Sequence, residues 1–336
     1  MSGFRAPRFW NRRQTTLAAR LLSPLGALYG AATARKMARA GERVAVPVIC
    51  IGNFVVGGAG KTPTAIAIAK MLLQRGERVA FLSRGYGGEK RAAPLKVDPS
   101  IHNSRTVGDE PLLLARIAPC YVGADRVASA RAAIEQGASV LVMDDGLQSP
   151  ALAKDLRLAV VDADAGFGNG LCFPAGPLRA PVAGQARFVD AVIFVGAADG
   201  ARLKTVAPGR PHFAAHLRPD AIAAAPLVGR SVLAFAGIAR PEKFFATLES
   251  IGARVAVRQS FPDHHRFGRR ELEALVHQAD ERSLTLVTTE KDAVRLPAAD
   301  RAVIASLPVT LAFEEAKSLE KLIMAAVSAQ RAKAKS

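Results

Sequence analysis

The stretch "IGNFVVGGAGKTPTAIAIAK", residues 51–70, constrains the fold more than any other part of the chain. An apolar run enters a glycine-rich turn that ends in Gly-Lys-Thr, and alanine and isoleucine follow at helical spacing. Strand, loop and helix in that order make a cradle for phosphate. The backbone N–H groups of Gly57, Gly58, Ala59 and Gly60 can close around phosphate oxygens, and the helix N-terminus adds partial positive charge. Lys61 would reach the β- and γ-phosphates of a nucleotide, and the Thr62 hydroxyl would ligate magnesium. A plain turn would explain the glycines but not Lys61 and Thr62 together. Where the usual spacing wants glycine the chain has Val55, and Gly57 with Gly58 compensates.

"SVLVMDDGLQ", residues 139–148, supplies the matching part. An apolar strand ending in Asp144 and Asp145 would bring a carboxylate beside the metal held by Thr62, as phosphoryl transfer requires. Short apolar runs such as "VPVICIGN", "RVAFLS", "LRLAVVDA" and "DAVIFVGA" alternate with helical stretches, which points to a parallel sheet covered on both faces. Proline and alanine crowd "RPHFAAHLRPDAIAAAPLVGR", so a linker is expected over 213–228. The alternation then resumes in a second, smaller α/β unit over 229–328, after a first domain over 44–212. The closing "AQRAKAKS" reads as a mobile tail.

The formal charge of +17 calls for anionic company. Nucleic acid, an anionic membrane surface and a phosphorylated substrate all fit. Three cysteines without a CxxC pair, Cys50, Cys120 and Cys172, read as small buried residues in a reducing setting. Residues 1–43 carry nine basic side chains, among them Arg5, Arg12, Arg13 and Arg20, against the single acid Glu42. Between the basic clusters lies "LLSPLGALYGAATA", shorter than the roughly 20 residues a spanning helix needs and interrupted by Pro24 and Gly26. With Phe9, Trp10 and Tyr29 nearby, the segment suits the headgroup region of an anionic leaflet. A first helix packed on the core with a solvated basic face is the plainer alternative.

A kinase whose acceptor is a hydroxyl needs a group to take its proton. "FPDHHRF" offers His264 and His265 behind Asp263, and "VGDEPLLLA" offers Asp109 and Glu110, which could equally cap a helix. A guanine-reading motif is missing, since "TTEKD" has its lysine one position late.

Ten motifs in order identify the chain as resembling the tetraacyldisaccharide 4'-kinase family of lipid A synthesis. They are "PRFW", "IGNFVVGGAGKTPT", "LSRGYGG", "VGDEPLLLA", "GADRVASA", "MDDGLQ", "GFGNGLCFPAGPLR", "FAGIARPEKFF", "FPDHHRF" and "VTTEKDAVRL". The resemblance implies a P-loop NTPase-like α/β domain, a smaller α/β domain, and an N-terminal helical segment that associates with the membrane. It implies transfer of the ATP γ-phosphate to the 4'-hydroxyl of a tetraacylated glucosamine disaccharide 1-phosphate, at the cytoplasmic face of the bacterial inner membrane, with Mg²⁺. Carried over residue by residue, Lys61 and Thr62 serve nucleotide and metal, and Asp144 and Asp145 are the acidic pair. Asp109 and His264 form the dyad that activates the acceptor, while Arg126 and Gln148 are further cleft residues. After "GPLR" the family pattern has an acid where this chain has Ala180, which puts metal coordination in question. No nucleic acid and no obligatory protein partner is expected. A soluble P-loop ATPase or ligase of the iron-protein and dethiobiotin synthetase group is the rival reading, and a nucleic-acid-binding ATPase, with only 6% aromatics for stacking, a third.

Overall fold

A computed structural model describes residues 6–11, 15–196 and 205–333. Arg5, Arg12 and Arg13 of the basic N-terminus, and residues 334–336 of the tail, lie outside the described residues. The chain is a mixed α/β protein built on two sheets. The larger has nine strands in the order β13-β8-β7-β6-β1-β5-β2-β4-β3, and the smaller has four in the order β10-β9-β11-β12. In the large sheet β1 (Val48–Gly52), β2 (Val79–Ser83), β5 (Val140–Asp144) and β7 (Ala191–Val195) are buried at every residue. Such strands need cover on both faces, and their alternation supplies two apolar layers. Ile49 and Ile51 of β1 face a core with Ile68 and Leu72 of helix α2 (Lys61–Gln74), whereas Val48 and Cys50 face one with Met37 and Phe54. Cys120 is buried like Cys50, and Cys172 is half-buried.

The expected linker is not one. Residues His212–Pro219 form β8, parallel to β7 and antiparallel to β13 (Val309–Phe313). The proline and alanine density belongs to the short helical turns that follow, Ala221–Ala224 and Ala225–Leu227. Nor does the second unit run to 328. Its sheet, β9 (Ser231–Ala236), β10 (Arg254–Ser260), β11 (Thr285–Thr289) and β12 (Ala305–Leu307), is all parallel and ends at Leu307. The chain then returns to the large sheet through β13 and the helix Ala316–Lys333, whose Leu319, Ile323 and Val327 join the first core. This return depends on partners far back in the sequence, and local composition carries no mark of it. Two strands of the large sheet also went unforeseen. These are the three-residue β4 (Cys120–Val122) and the two-residue antiparallel edge β3 (Leu95–Lys96), both too short to show a period.

The tail expected to be mobile is held as helix as far as Lys333. Gln330 Nε2 donates to the Ala45 carbonyl at 3.2 Å, and Arg331 pairs with Glu77 at 2.6 Å. At the other end Pro24 does not break helix α1, which runs unbroken over Leu17–Met37. Proline removes the N–H that would bond the carbonyl four residues back, Arg20, but the Ser23 hydroxyl donates to that same carbonyl at 2.8 Å. Small residues allow the helix to lie close to the body: a Cβ on Gly26 would meet the Cys172 carbonyl oxygen at 2.7 Å. Its outward face is apolar, with Leu17, Leu21, Leu25 and Leu28 all more than half exposed. Trp10, expected near headgroups, is instead buried. Its indole N–H donates to the Pro174 carbonyl at 3.0 Å and its ring packs against Phe173.

Candidate active site

The glycine loop leaves the C-terminal end of β1 between β5 and β6 (Leu156–Asp162), in the middle of the sheet, which is where open parallel sheets hold ligands. Gly60 caps α2 with φ 85°, a left-handed conformation that glycine adopts without strain. A Cβ on Gly57 or Gly58 would meet nothing within 4 Å, so the loop is open at both positions. Lys61 Nζ donates to the Gly57 carbonyl at 3.1 Å and lies 3.8 Å from Asp145 Oδ2. Burial pushes the lysine's pKa down, against the pull of Asp145 and Asp144.

Parallel pairing sets Ile51 beside Asp144, so both strands deliver their ends to one place. The Thr62 hydroxyl donates to Asp144 Oδ2 at 3.2 Å. Asp144 Oδ1 and Asp145 Oδ1 are buried with no hydrogen-bond partner among the described residues. Burial raises the Asp144 pKa to about 7 despite Lys61, whereas Asp145, half-buried, is held low by Lys61 and Arg179 against the burial that works to raise it. The two adjacent acids therefore differ: Asp145 is ion-paired with Lys61 and Arg179, whereas Asp144 feels Lys61 only at longer range.

Arg179, at the end of "GPLR", was not singled out from the sequence. It donates to Asp145 Oδ2 at 2.9 Å, to the Val55 carbonyl at 3.0 Å and to Gln148 Oε1 at 3.2 Å. Gln148 uses its amide N–H groups within the protein, on the Asn53 carbonyl at 2.7 Å and Gln185 Oε1 at 2.9 Å. It braces the loop from behind. Ala180 is fully buried and offers only its carbonyl, which accepts from Gln185. Arg126, the first residue of the helix Arg126–Glu135, is 3% exposed, yet neither terminal guanidinium nitrogen has a hydrogen-bond partner among the described residues. Burial, then Arg84, lowers its pKa to about 10.

The second cluster spans both sheets. Asp109 opens helix α3 (Asp109–Ala115) above the large sheet, and His264 sits in the loop after β10. His264 Nδ1 lies 2.7 Å from Asp109 Oδ2, across 155 residues of chain. Arg295 donates through Nε to the same oxygen at 2.8 Å and through Nη1 to Asp292 Oδ1 at 2.6 Å and the Gly237 carbonyl at 2.9 Å. Although burial works to raise it, the Asp109 pKa falls to about 2 under His264 and Arg295. Lys291 Nζ lies 3.3 Å from His264 Nε2, 3.2 Å from Glu110 and 3.7 Å from Asp263. Glu110 in turn acts electrostatically on Lys61 and Asp144, so it stands between the two clusters. His265, the other half of the pair, is structural: it stacks on Phe261 at 4.7 Å and pairs with Glu271 at 2.7 Å. Two of the four non-glycine residues with left-handed backbone among the described residues are Asp145 (φ 54°) and His264 (φ 58°).

Lys291 and Arg295 belong to "TTEKDAVRL", which counted in the sequence as a failed guanine reader and as one of the ten family motifs, with no role given to either residue. Two basic residues four apart, straddling an acid directly after a strand, were the available signal.

A glycine loop at the end of a central parallel strand, faced by strand-end carboxylates, belongs to a mixed α/β protein with a parallel sheet at its centre. The family model "LpxK: Tetraacyldisaccharide-1-P 4'-kinase" matches residues 18–328. The tetraacyldisaccharide 4'-kinase of Methylobacterium sp. (strain 4-46) is 57% identical over 311 residues, 92% of this chain and 93% of that protein. The one from Rhodopseudomonas palustris (strain BisA53) is 48% identical over 333 residues, 97% of each. Among solved structures, LpxK from Aquifex aeolicus in complex with ATP matches with a TM-score of 0.72 at 26% identity, covering 93% of this chain and all of that one. The chain belongs to the tetraacyldisaccharide 4'-kinase family.

Proposed function

We propose that the chain is an ATP-dependent kinase that phosphorylates the 4'-hydroxyl of a tetraacylated glucosamine disaccharide 1-phosphate in lipid A biosynthesis. The family match over residues 18–328 carries this reading, and it displaces the soluble ATPase or ligase alternative. The large domain is read as P-loop NTPase-like. Gly57, Gly58, Ala59 and Gly60 would hold the nucleotide phosphates through backbone N–H groups, with Lys61 neutralising the β- and γ-phosphates. Arg126, whose buried donors lack partners, would take a further phosphate oxygen. Gln148 would contribute indirectly, by bracing the loop.

Thr62, Asp144 and Asp145 fit a magnesium ion. They offer hard oxygens, two of them buried and orphaned, and Mg²⁺ takes one or two carboxylates and completes its shell with phosphate and water. Bound there, the ion would spread the charge of the transferring phosphate. Ala180 supplies no side-chain oxygen, so the strand-end pair suffices in this reading.

His264, its Nδ1–H donated to Asp109, has Nε2 as the bare nitrogen that would take the acceptor's proton. Asp109 stays ionised beside Arg295 and so would stabilise the imidazolium that forms. The loop and Asp109 belong to the large unit and His264 to the smaller one, so closure of the cleft would bring acceptor and γ-phosphate together.

The substrate's acyl chains call for a membrane surface. No helix among the described residues is long and apolar enough to cross one. The exposed leucine face of α1, with Arg20 beside it and Arg35 and Lys36 in its last turn, suits peripheral attachment to an anionic leaflet on the cytoplasmic side of the inner membrane.

Incubation with radiolabelled ATP, Mg²⁺ and the disaccharide 1-phosphate in mixed micelles tests the activity. Labelled lipid is expected from the wild type, with about 10²-fold less or lower from Lys61→Ala. ATP consumption without lipid product would sink the reading.

A further inference from the structure

Lys291 is the residue in the cleft that the kinase reading leaves without a role. It comes from the short helix Glu290–Ala293 after β11, and its side chain is half-buried between groups of both units. Its ammonium contacts Glu110 of the first unit, Asp263 of the second, and His264 Nε2, the one ring nitrogen not engaged by Asp109. An ammonium group has only donors, so a hydrogen bond to Nε2 requires that nitrogen to be bare. The contact thus selects the neutral imidazole with its proton on Nδ1, the same tautomer the Asp109 carboxylate accepts from. Two partners, one on each side of the ring, agree on a single protonation state.

We propose that Lys291 is a positioning residue for acceptor activation: anchored by Glu110 and Asp263, it holds His264 neutral with Nε2 unprotonated, and yields Nε2 to the acceptor hydroxyl when substrate enters the cleft. This inference rests on His264 being the base. When the acceptor oxygen bonds to the γ-phosphorus and the bond to ADP breaks, the hydroxyl proton passes to Nε2. The displaced ammonium remains within reach of Glu110, beside the site where negative charge accumulates. The other charged groups that face the ring are Asp109 on the Nδ1 side and Asp263, 3.9 Å from Nε2. Arg295 acts through Asp109, and the Tyr86 ring, 5.7 Å away, adds no charge. Lys291 is therefore the cation that faces Nε2 itself.

The test uses the full chain, ATP, Mg²⁺ and disaccharide 1-phosphate in mixed micelles across pH, together with nitrogen NMR of the His264 ring without substrates. In the wild type at pH 7 the NMR should report Nδ1 protonated and Nε2 bare; the opposite tautomer overturns the proposal without any variant. Lys291→Met should lower kcat about tenfold or more. It should also move both the acid limb of kcat/KM and the His264 titration upward by about one pH unit. Lys291→Arg should keep the limb in place. An unmoved limb and titration in Lys291→Met overturn the inference, whether activity is kept or lost. His264→Ala separates the two ideas. If that variant still transfers phosphate, the base assignment itself fails. If it is inactive while Lys291→Met moves neither readout, only the role of Lys291 falls.

Discussion

The glycine loop and the Asp109–His264 pair, the two halves of the proposed site, are built in opposite ways. Among the described residues the loop is held from within the large unit: Thr62 to Asp144, Lys61 to Asp145, and Arg179 to Val55, Gln148 and Asp145. The dyad exists only where two sheets meet. Asp109 is 155 residues from His264 and 186 from Arg295, and their contacts join the first unit to the second. A site half made within one sheet holds its shape whatever the second unit does. One made between sheets depends on how they sit together, so nucleotide binding and acceptor activation should be separable by substitution.

The largest effect is expected where the junction is most buried. Arg295→Met leaves Asp109 and Asp292 without their shared cation, and breaking a buried pair this way costs about 3–5 kcal/mol. Calorimetry should show the loss of stability. If stability is unchanged, the two sheets are held together by something other than this arginine.

Asp109→Asn is next, at about 2 kcal/mol. The Asp109 carboxyl, 6% exposed, is depressed from 3.8 to about 2, so its contribution is complete above the unfolded value. It disappears as pH falls through the folded one. Denaturation of wild type and variant at pH 6 and pH 3 should show the gap narrowing at the lower pH, and a constant gap would contradict the assignment.

Arg179→Ala probes the other half. The loop loses three contacts and Asp145 a counter-charge, so ATP affinity should fall about tenfold, roughly 1–2 kcal/mol for charge-assisted hydrogen bonds. The His264 ring titration should not move, and a shift there would break the separation of the two halves.

The smallest effect belongs to the outer face of α1. Leu25→Ser should weaken binding to anionic vesicles by about 1 kcal/mol, a few-fold, with turnover of micellar substrate little changed. Unaltered vesicle binding would point away from this face.

The same contrast governs what could be read from the sequence. Lys61, Thr62 and the Asp144–Asp145 strand end were legible because strand, turn and helix lie in one local stretch. The pairing of Asp109 with His264 was not, because no spacing links them; only the resemblance to a known family suggested it. Lys291 and Arg295 were overlooked although their motif was noticed, since their meaning comes from Asp109 and Glu110 on another unit. β8 was hidden in a stretch whose alanine and proline read as linker, and its antiparallel partner β13 comes only after the whole of the smaller sheet has been traversed. The buried Trp10 shows the same failure on a smaller scale, because Pro174 and Phe173 enclose it from 160 residues away or more.

The most direct test measures phosphate transfer and ATP affinity on the same preparations of wild type, His264→Ala and Lys61→Ala. In His264→Ala, kcat should fall by about 10²-fold or more with ATP affinity retained, whereas Lys61→Ala should weaken both. If His264→Ala lost ATP binding along with turnover, or kept both, the division of the site into a self-contained nucleotide half and an assembled acceptor half would be wrong.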